Sequence, residues 1–419
     1  MKVYKFGGAS VKNADGVRNL HSLITDEENL FIIVSAMGKT TNALERVFRG
    51  LQSDDKQAML SEIESLRSYH AEIIDDLWHK PTRLESVERL FAELEQLPSS
   101  AKYQAEDAEL WYDKIVAYGE LISTTIISEY LNAAGVKNAW IDMRQALRTE
   151  QRHKDATVDI EASTPLLRGA IASHSGINIF IGQGFIGGAP DSTTTTLGRE
   201  GSDYSAAVVA NILRAESMSV WKDVDGILNA DPKKFPDAVQ IKELNYLDTI
   251  ELAYSGAQII HPKTIKPLQN RNIPLYVRPF GDKRKPGTVI RGSSAHVTVP
   301  ILILKNDQVL LTIRSRDLSF VLEEKFAKIF SLLERFRVKV NLVHNSAVNL
   351  SLCVDNSWHI DEAVEALHDE GFDVLKSSDM ELLTIRGYND DLMRRYATGR
   401  HIFISQSTQS TVRVVRKRQ

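Results

Sequence analysis

The chain has 419 residues, enough for two or three domains that each bury a core. Hydrophobic residues make up 43% and charged residues 25%, the balance of a globular protein. The formal net charge of −4 gives no footing for nucleic acid or a membrane surface as partner, and the one basic run, "RVVRKRQ" at the end, reads as a solvated tail. The single cysteine, Cys353 in "NLSLCVDN", cannot form an intramolecular disulfide and reads as a packed strand residue. No apolar run approaches the roughly 20 residues that span a bilayer. The opening "MKVYKFGG" lacks a signal-peptide core, so the expected compartment is the cytoplasm.

In chain order, strands are expected at Val3–Phe6, Leu30–Ala36, Asn138–Asp142, Ile177–Gly182, Ser217–Trp221 and Pro274–Phe280, with helical patterns between them. Several are apolar almost throughout, as strands covered on both faces are, and their alternation with helices implies an α/β layer with a largely parallel sheet. Between Leu51 and Leu97 the pattern turns to charged helix formers, including "KQAMLSEIESLRSYHAEIIDDLW", interrupted by Pro81. This reads as a helical insertion at about 51–110, with His70 and His79 solvated or packed. The Gly/Pro-bearing segment Phe280–Ser294 closes the first domain, expected over 1–290. From Val297 the order β-α-β-β-α begins a second domain, expected over 297–380. The runs "ELLTIRGY", "IFISQS" and "STVRVVRK" suggest a related, shorter unit over 381–419.

Four stretches carry chemistry. In "VYKFGGAS" Lys5 stands at a strand end, and Gly7 and Gly8 turn the backbone where it can approach an anion. Alone, the stretch is equally an ordinary strand–turn–helix, and it is not a Walker A loop. In "IVSAMGKTTN" the hydroxyls of Ser35, Thr40 and Thr41 follow a strand's carboxyl end, where open α/β sheets bind ligands, although one of them can simply cap the next helix.

The third stretch contains "IGQGFIG", a match to the G-x-G-x-x-G dinucleotide fingerprint. A dinucleotide turn runs straight into a helix. Here Ala189-Pro190, four threonines (Thr193–Thr196) and "GREG" intervene before "SDYSAAVVANIL", which argues against NAD. The glycines are expected to bend a strand end away so that the loop beyond reaches a ligand. That loop presents Arg199, able to clamp a carboxylate bidentately, and Asp203, able to take an ammonium or a metal ion, with Ser202 beside it at a helix mouth. In the fourth, "WKDVDGILNADPKKFPDA", Asp223 ends a strand and Asp225-Gly226 turns; these carboxylates suit ribose hydroxyls or magnesium, or are turn residues only.

Taken in order, "KFGGAS", "SAMGKTTN", "YGE" (Tyr118–Glu120), "GQGFIGG…TTTTLGREGSDYSA", "WKDVDGILNADP" and "ELAYSGAQIIHPKTI" resemble the aspartate kinases of the amino-acid kinase family, from Lys2 to about Thr288. The region from Val297 resembles the ACT-type regulatory domains of that family. The resemblance implies a three-layer α/β/α kinase domain with a mostly parallel sheet, followed by C-terminal α+β ACT-like domains. It implies transfer of the γ-phosphoryl of ATP to the side-chain carboxylate of L-aspartate, with ATP and Mg2+ required, as the first step of lysine, threonine and methionine biosynthesis.

By the same resemblance, Lys5 and Asp203 are catalytic, and Arg199 clamps the aspartate α-carboxylate. Glu120 and Asp203 face its α-ammonium, while Ser35, Thr41 and Ser202 line the same pocket. Lys5, Phe6, Gly7, Gly8, Lys222, Asp223, Gly226, Lys233 and Gln258 hold the nucleotide. No protein ligand set for a metal is assigned. ACT-like domains imply a homodimer and an amino-acid effector.

Departures from the pattern are Ala9 for Thr, Lys222 for Thr, Lys233 for Arg, Gln258 for Lys (with Lys263 or Lys266 as substitutes), and "RTE" (Arg148–Glu150) for "RTD". In the regulatory region Ala347 stands for Glu and Lys325 for Gly. Alternative readings are another carboxylate kinase of the family, such as glutamate 5-kinase, and a non-catalytic amino-acid sensor of the same fold.

Overall fold

The structure is a computed structural model that describes residues 1–100, 103–257, 260–292, 299–316, 323–397 and 401–418, with backbone alone at 98–100 and 323. Two compact units form: Met1–Ile227 with Lys242–Ile250 and Ile259–Ala295, and Leu228–Ile241 with Glu251–Gln258 and His296–Gln419.

The first unit is built on an eight-stranded sheet. Its strands are β1 (Lys2–Phe6), β2 (Leu30–Val34), β3 (Ala139–Ile141), β4 (Ile179–Gln183), β7 (Met218–Lys222), β8 (Glu243–Asn245), β9 (Leu275–Pro279) and β10 (Thr288–Arg291), in the order β3-β4-β2-β1-β7-β9-β10-β8. A separate hairpin pairs β5 (Ile186–Gly188) with β6 (Thr194–Thr196). The six strands read from apolar runs are all present, and from β3 to β9 every neighbouring pair is parallel. β10 is antiparallel to β9. All five residues of β2, "LFIIV", are buried, as a central parallel strand covered on both faces requires.

The helices that matter for the site are α1 (Ala14–Ile24), α2 (Thr40–Gln52), α3 (Lys56–Trp78), α4 (Glu85–Ser100), α5 (Ala108–Val116), α6 (Tyr118–Ala133), α7 (Met143–Ala146), α8 (Ile160–Ala172) and α9 (Gly201–Leu213). The insertion is α3 and α4, broken between Trp78 and Glu85 around Pro81. α3 closes on His79 in the left-handed conformation, while His70 is wholly buried, its Nδ1 2.8 Å from the Leu66 carbonyl. Burial pushes that imidazole down to about 4, so it is a neutral packed residue.

The second unit carries a six-stranded antiparallel sheet, β12-β13-β11-β14-β16-β15, made of β11 (Ile301–Ser315), β12 (Val340–Asn345), β13 (Asn349–Asp355), β14 (Phe372–Arg386), β15 (Ile402–Ser407) and β16 (Thr411–Lys417). Val309, Leu311 and Ile313 of β11 pack with Ile329 and Leu333 of one helix (Glu323–Arg335) and Ala363 and Leu367 of another (Ile360–Asp369). Cys353 is buried in a smaller apolar cluster, and burial pushes its thiol up to about 12. The basic end of the chain is not a solvated tail. It is β16, with Val412, Val414, Val415 and Arg416 buried and the strand paired against β14.

Candidate active site

In the order β2-β1-β7 the sheet connections reverse direction beside β1, and a parallel sheet leaves its ligand crevice at the carboxyl ends of strands flanking such a point. Alternation along β1 and β7 decides what stands there. Phe6 pairs in register with Trp221 and stacks on it, 6.2 Å between ring centres and 6° between planes, so that face is core. Lys5 pairs with Val220, and Lys222, two residues on, shares the same face.

α9 supplies the counter-charge. Its first residue follows Glu200, whose φ of 54° is left-handed, and Asp203 lies in its first turn. The helix is buried on nearly every side, and its many small residues let it sit close to the sheet. Lys5 Nζ stands 2.7 Å from Asp203 Oδ1, and Lys222 Nζ 3.7 Å from Oδ2. Burial would raise the Asp203 carboxyl, but the two ammonium charges outweigh it and hold it below its ordinary value.

Glu120, third residue of α6, approaches from another direction. Its Oε1 accepts the Ala36 N–H at 3.1 Å, and its Oε2 is buried with no hydrogen-bond partner among the described residues. Burial pushes this carboxyl up to about 8, against the pull of the Ala36 N–H and the Lys5 charge. A buried polar oxygen left unpaired is costly, and Glu120 lines the same cavity as Lys5.

Lys5, Ser35, Thr41, Glu120, Ser202, Asp203 and Lys222 all line one cavity of about 350 Å³, together with Phe185 and Glu200. The residue before α2, Lys39, makes no side-chain cap, and Thr40 donates its hydroxyl to the Met37 carbonyl at 2.6 Å, which leaves Thr41 to the cavity. Two glycines are needed for close approach. A Cβ on Gly8 would lie 2.4 Å from the Ala36 carbonyl oxygen, and one on Gly184 would lie 2.5 Å from Ser202 Cβ. The "GQG" glycine therefore serves helix–strand packing: it lets the first turn of α9 close over the end of β4.

Other candidates are placed differently. The Phe6 side chain is in the core, with only its backbone near the turn. Gly7 approaches Lys5, whose Nζ would be 3.5 Å from a Cβ there. Arg199 is exposed and does not line the cavity, although Gly198 and Glu200 on either side of it do. Asp223 is exposed and Gly226 buried, and neither lines it. Lys233 is exposed in the second unit, and Gln258 lies outside the described residues. Lys263 holds Asp155 Oδ1 at 3.1 Å and the Leu197 carbonyl at 3.1 Å, so it straps the loop before α9.

Sequence reasoning missed Asp113. It is wholly buried and accepts hydrogen bonds from Thr196 Oγ1 at 2.6 Å, Thr196 N at 3.0 Å, His153 Nδ1 at 2.9 Å and Lys154 N at 3.1 Å. It thereby ties α5 to β6, the strand that leads into the loop before α9. A lone Asp in "LWYDKIV" carries no spacing signal that could reveal this.

The model of the amino acid kinase family matches residues 1–279. Lysine-sensitive aspartokinase 3 of Escherichia coli is 31% identical over 358 residues, 85% of this chain and 78% of that protein. Aspartokinase 1 of Arabidopsis thaliana, a chloroplast protein, is 31% identical over 85% of this chain and 63% of its own length. The crystal structure of E. coli aspartokinase III with aspartate and ADP superposes with a TM-score of 0.83 at 26% identity, covering 100% of this chain and 96% of that one. An ammonium pair on a buried carboxylate at the mouth of a parallel sheet, and relatives that match most of the chain's length, lead to one conclusion: the chain belongs to the amino acid kinase family, among its aspartokinases.

Proposed function

We propose that this chain is an aspartate kinase, which transfers the γ-phosphoryl group of ATP to the side-chain carboxylate of L-aspartate and releases ADP and 4-phospho-L-aspartate. The observation that carries this reading is the cavity in which Lys5, held on Asp203, stands beside a buried carboxyl with one oxygen unsatisfied. The acceptor carboxylate is already ionised at neutral pH, so the reaction needs no general base. The obstacle is bringing two anions together and stabilising charge on the transferring group. Lys5 supplies a positive charge aimed by Asp203, and the Gly7-Gly8 turn supplies backbone beside it.

Glu120 takes the substrate's α-ammonium on its free oxygen, and Ser35, Thr41 and Ser202 offer hydroxyls to the same ligand. Arg199 clamps the α-carboxylate, which requires its exposed side chain to turn inward when substrate binds. Lys5, Phe6, Gly7, Gly8, Lys222, Asp223, Gly226, Lys233 and Gln258 face the nucleotide in this reading. Among the described residues no group of three or more His, Cys, Asp or Glu side chains converges on one point, and both oxygens of Asp203 face ammonium groups. Magnesium would be carried on the phosphates of ATP, where it would neutralise phosphate charge.

The second unit is read as two ACT-like repeats that share a sheet. The first uses β12, β13 and the facing ends of β11 and β14, and the second uses the other ends of those long strands with β15 and β16. A homodimer through these repeats, an amino-acid effector and a cytoplasmic location belong to the same proposal; among the described residues no helix is long and apolar enough to cross a membrane. The test is incubation with Mg-ATP, L-aspartate and hydroxylamine: aspartyl hydroxamate is expected, and its absence overturns the reading. Replacing aspartate by glutamate is expected to leave the assay blank.

A further inference from the structure

The second unit contains a cavity of its own, of about 490 Å³, that shares no lining residue with the one around Lys5. Lys234, Arg395, Arg416 and Arg418 bring four cationic groups to its lining, against one carboxylate, Glu381. Two of these, Arg416 and Arg418, belong to the basic end of the chain.

Arg416 is only 3% exposed. Its position is fixed by register, since β16 pairs with β14 so that Arg416 opposes Glu381 directly. Its Nε donates to Glu381 Oε1 at 2.6 Å, and a terminal nitrogen donates to the Tyr396 carbonyl. A buried ion pair adds little to stability over an apolar pair of the same size, so its placement on a cationic cavity calls for another reason. Arg395 donates to Asp237 Oδ2 at 2.5 Å and lies over the Tyr396 ring, 5.0 Å from its centre. Lys234 and Arg418 are exposed at the solvent edge and have no salt-bridge partner among the described residues. Phe235 and Tyr396 meet edge to face, 5.3 Å apart at 77°, and with Leu304 give the cavity an apolar wall.

We infer that this cavity binds a phosphate monoester. The dianionic head lies against the cationic lining, with Arg395 and Arg416 on its inner side and Lys234 and Arg418 at the solvent edge. The organic part lies against Phe235 and Tyr396. A phosphate dianion suits the excess of cations in the lining better than a carboxylate does.

The test is calorimetric titration of the full chain with phenyl phosphate, inorganic phosphate and succinate, with thermal melting run alongside. Wild type is expected to bind one phenyl phosphate per chain, more tightly than inorganic phosphate and at least tenfold more tightly than succinate. Arg395→Gln combined with Arg418→Ser is expected to weaken phenyl phosphate at least tenfold. Should that pair of substitutions unfold the chain, Lys234→Gln, at an exposed position, is expected to weaken it several-fold. Lys5→Ala is expected to leave the affinity unchanged, which separates this site from the kinase cavity and its proposed reaction. No saturable binding, equal binding by these variants, loss of binding in Lys5→Ala, or succinate binding as tight as phenyl phosphate overturns the inference.

Discussion

Lys5 and Asp203 form a buried ion pair, with Nζ 2.7 Å from Oδ1 and side chains 11% and 4% exposed. The pair joins the first strand of the sheet to the first turn of α9, which stand some two hundred positions apart in the chain. Lys5→Ala removes the charge aimed at the transferring phosphoryl group and is expected to lower kcat by about 10²–10³. It also leaves Asp203 with only the more distant Lys222, and the variant is expected to lose about 3 kcal/mol of stability. Initial rates of hydroxamate formation and urea melts check the two effects. Wild-type turnover in the variant would remove Lys5 from the mechanism.

Glu120 makes aspartate binding pH-dependent. With its carboxyl pushed up to about 8, the folded free protein holds a proton on Glu120 that a substrate ammonium must displace. KM for aspartate is expected to fall as pH rises from 6 to 8, by a slope approaching tenfold per unit. Stability moves the opposite way, because the folded state binds the proton more tightly than the unfolded one. The contribution is full below 4.5, the ordinary value, and declines as pH rises from there to about 8. Glu120→Gln is expected to abolish the slope in KM, measured across buffers of constant ionic strength.

Asp113→Ala leaves the buried N–H of Thr196 without its acceptor, at about 1–3 kcal/mol, and also frees the partly buried N–H of Lys154. A loss of about 3 kcal/mol is expected in denaturant melts. The loop that follows Thr196 carries Arg199 and leads into Ser202 in the first turn of α9, so KM for aspartate is expected to rise several-fold while kcat changes less. Asp113→Asn keeps the shape and an acceptor oxygen, and is expected to recover most of both. A kcat loss equal to that of Lys5→Ala would contradict a positioning role.

Gly7 and Gly8 are adjacent and are expected to respond differently. A Cβ on Gly8 meets backbone oxygen at 2.4 Å, which cannot yield without moving the turn, whereas one on Gly7 makes ordinary contact at 3.5 Å with the flexible end of Lys5. Gly8→Ala is expected to lose about 1–3 kcal/mol, as overpacking does, and most activity. Gly7→Ala is expected to melt near wild type. Equal melting temperatures for the two variants would contradict this reading of the turn.

The central strands could be read from the sequence because runs such as "LFIIV" are apolar on both faces. β8, at three residues, and β10, "TVIR", are too short to show a period. The hairpin strand "TTT" looks like loop because its hydroxyls are satisfied only by residues far along the chain, such as Asp113 and Thr149. The end of the chain misled for a related reason: "RVVRKR" looks solvated until Glu381 is placed opposite Arg416. Lys5, Ser35 and Thr41 were legible as candidates from motifs at strand ends and Ser202 and Asp203 from a helix mouth, whereas Glu120 and Lys222 came only with the family resemblance. Their pairing was not legible. Lys5 on Asp203, and Glu120 with one oxygen unsatisfied, follow from how α9 and α6 pack, which no local pattern encodes.

The most direct test of the kinase reading is ³¹P NMR of the purified chain with Mg-ATP and L-aspartate. An acyl-phosphate resonance is expected to grow in step with ADP, to require aspartate, and to fail in Lys5→Ala. ADP formation that proceeds equally without aspartate and yields only inorganic phosphate would contradict it.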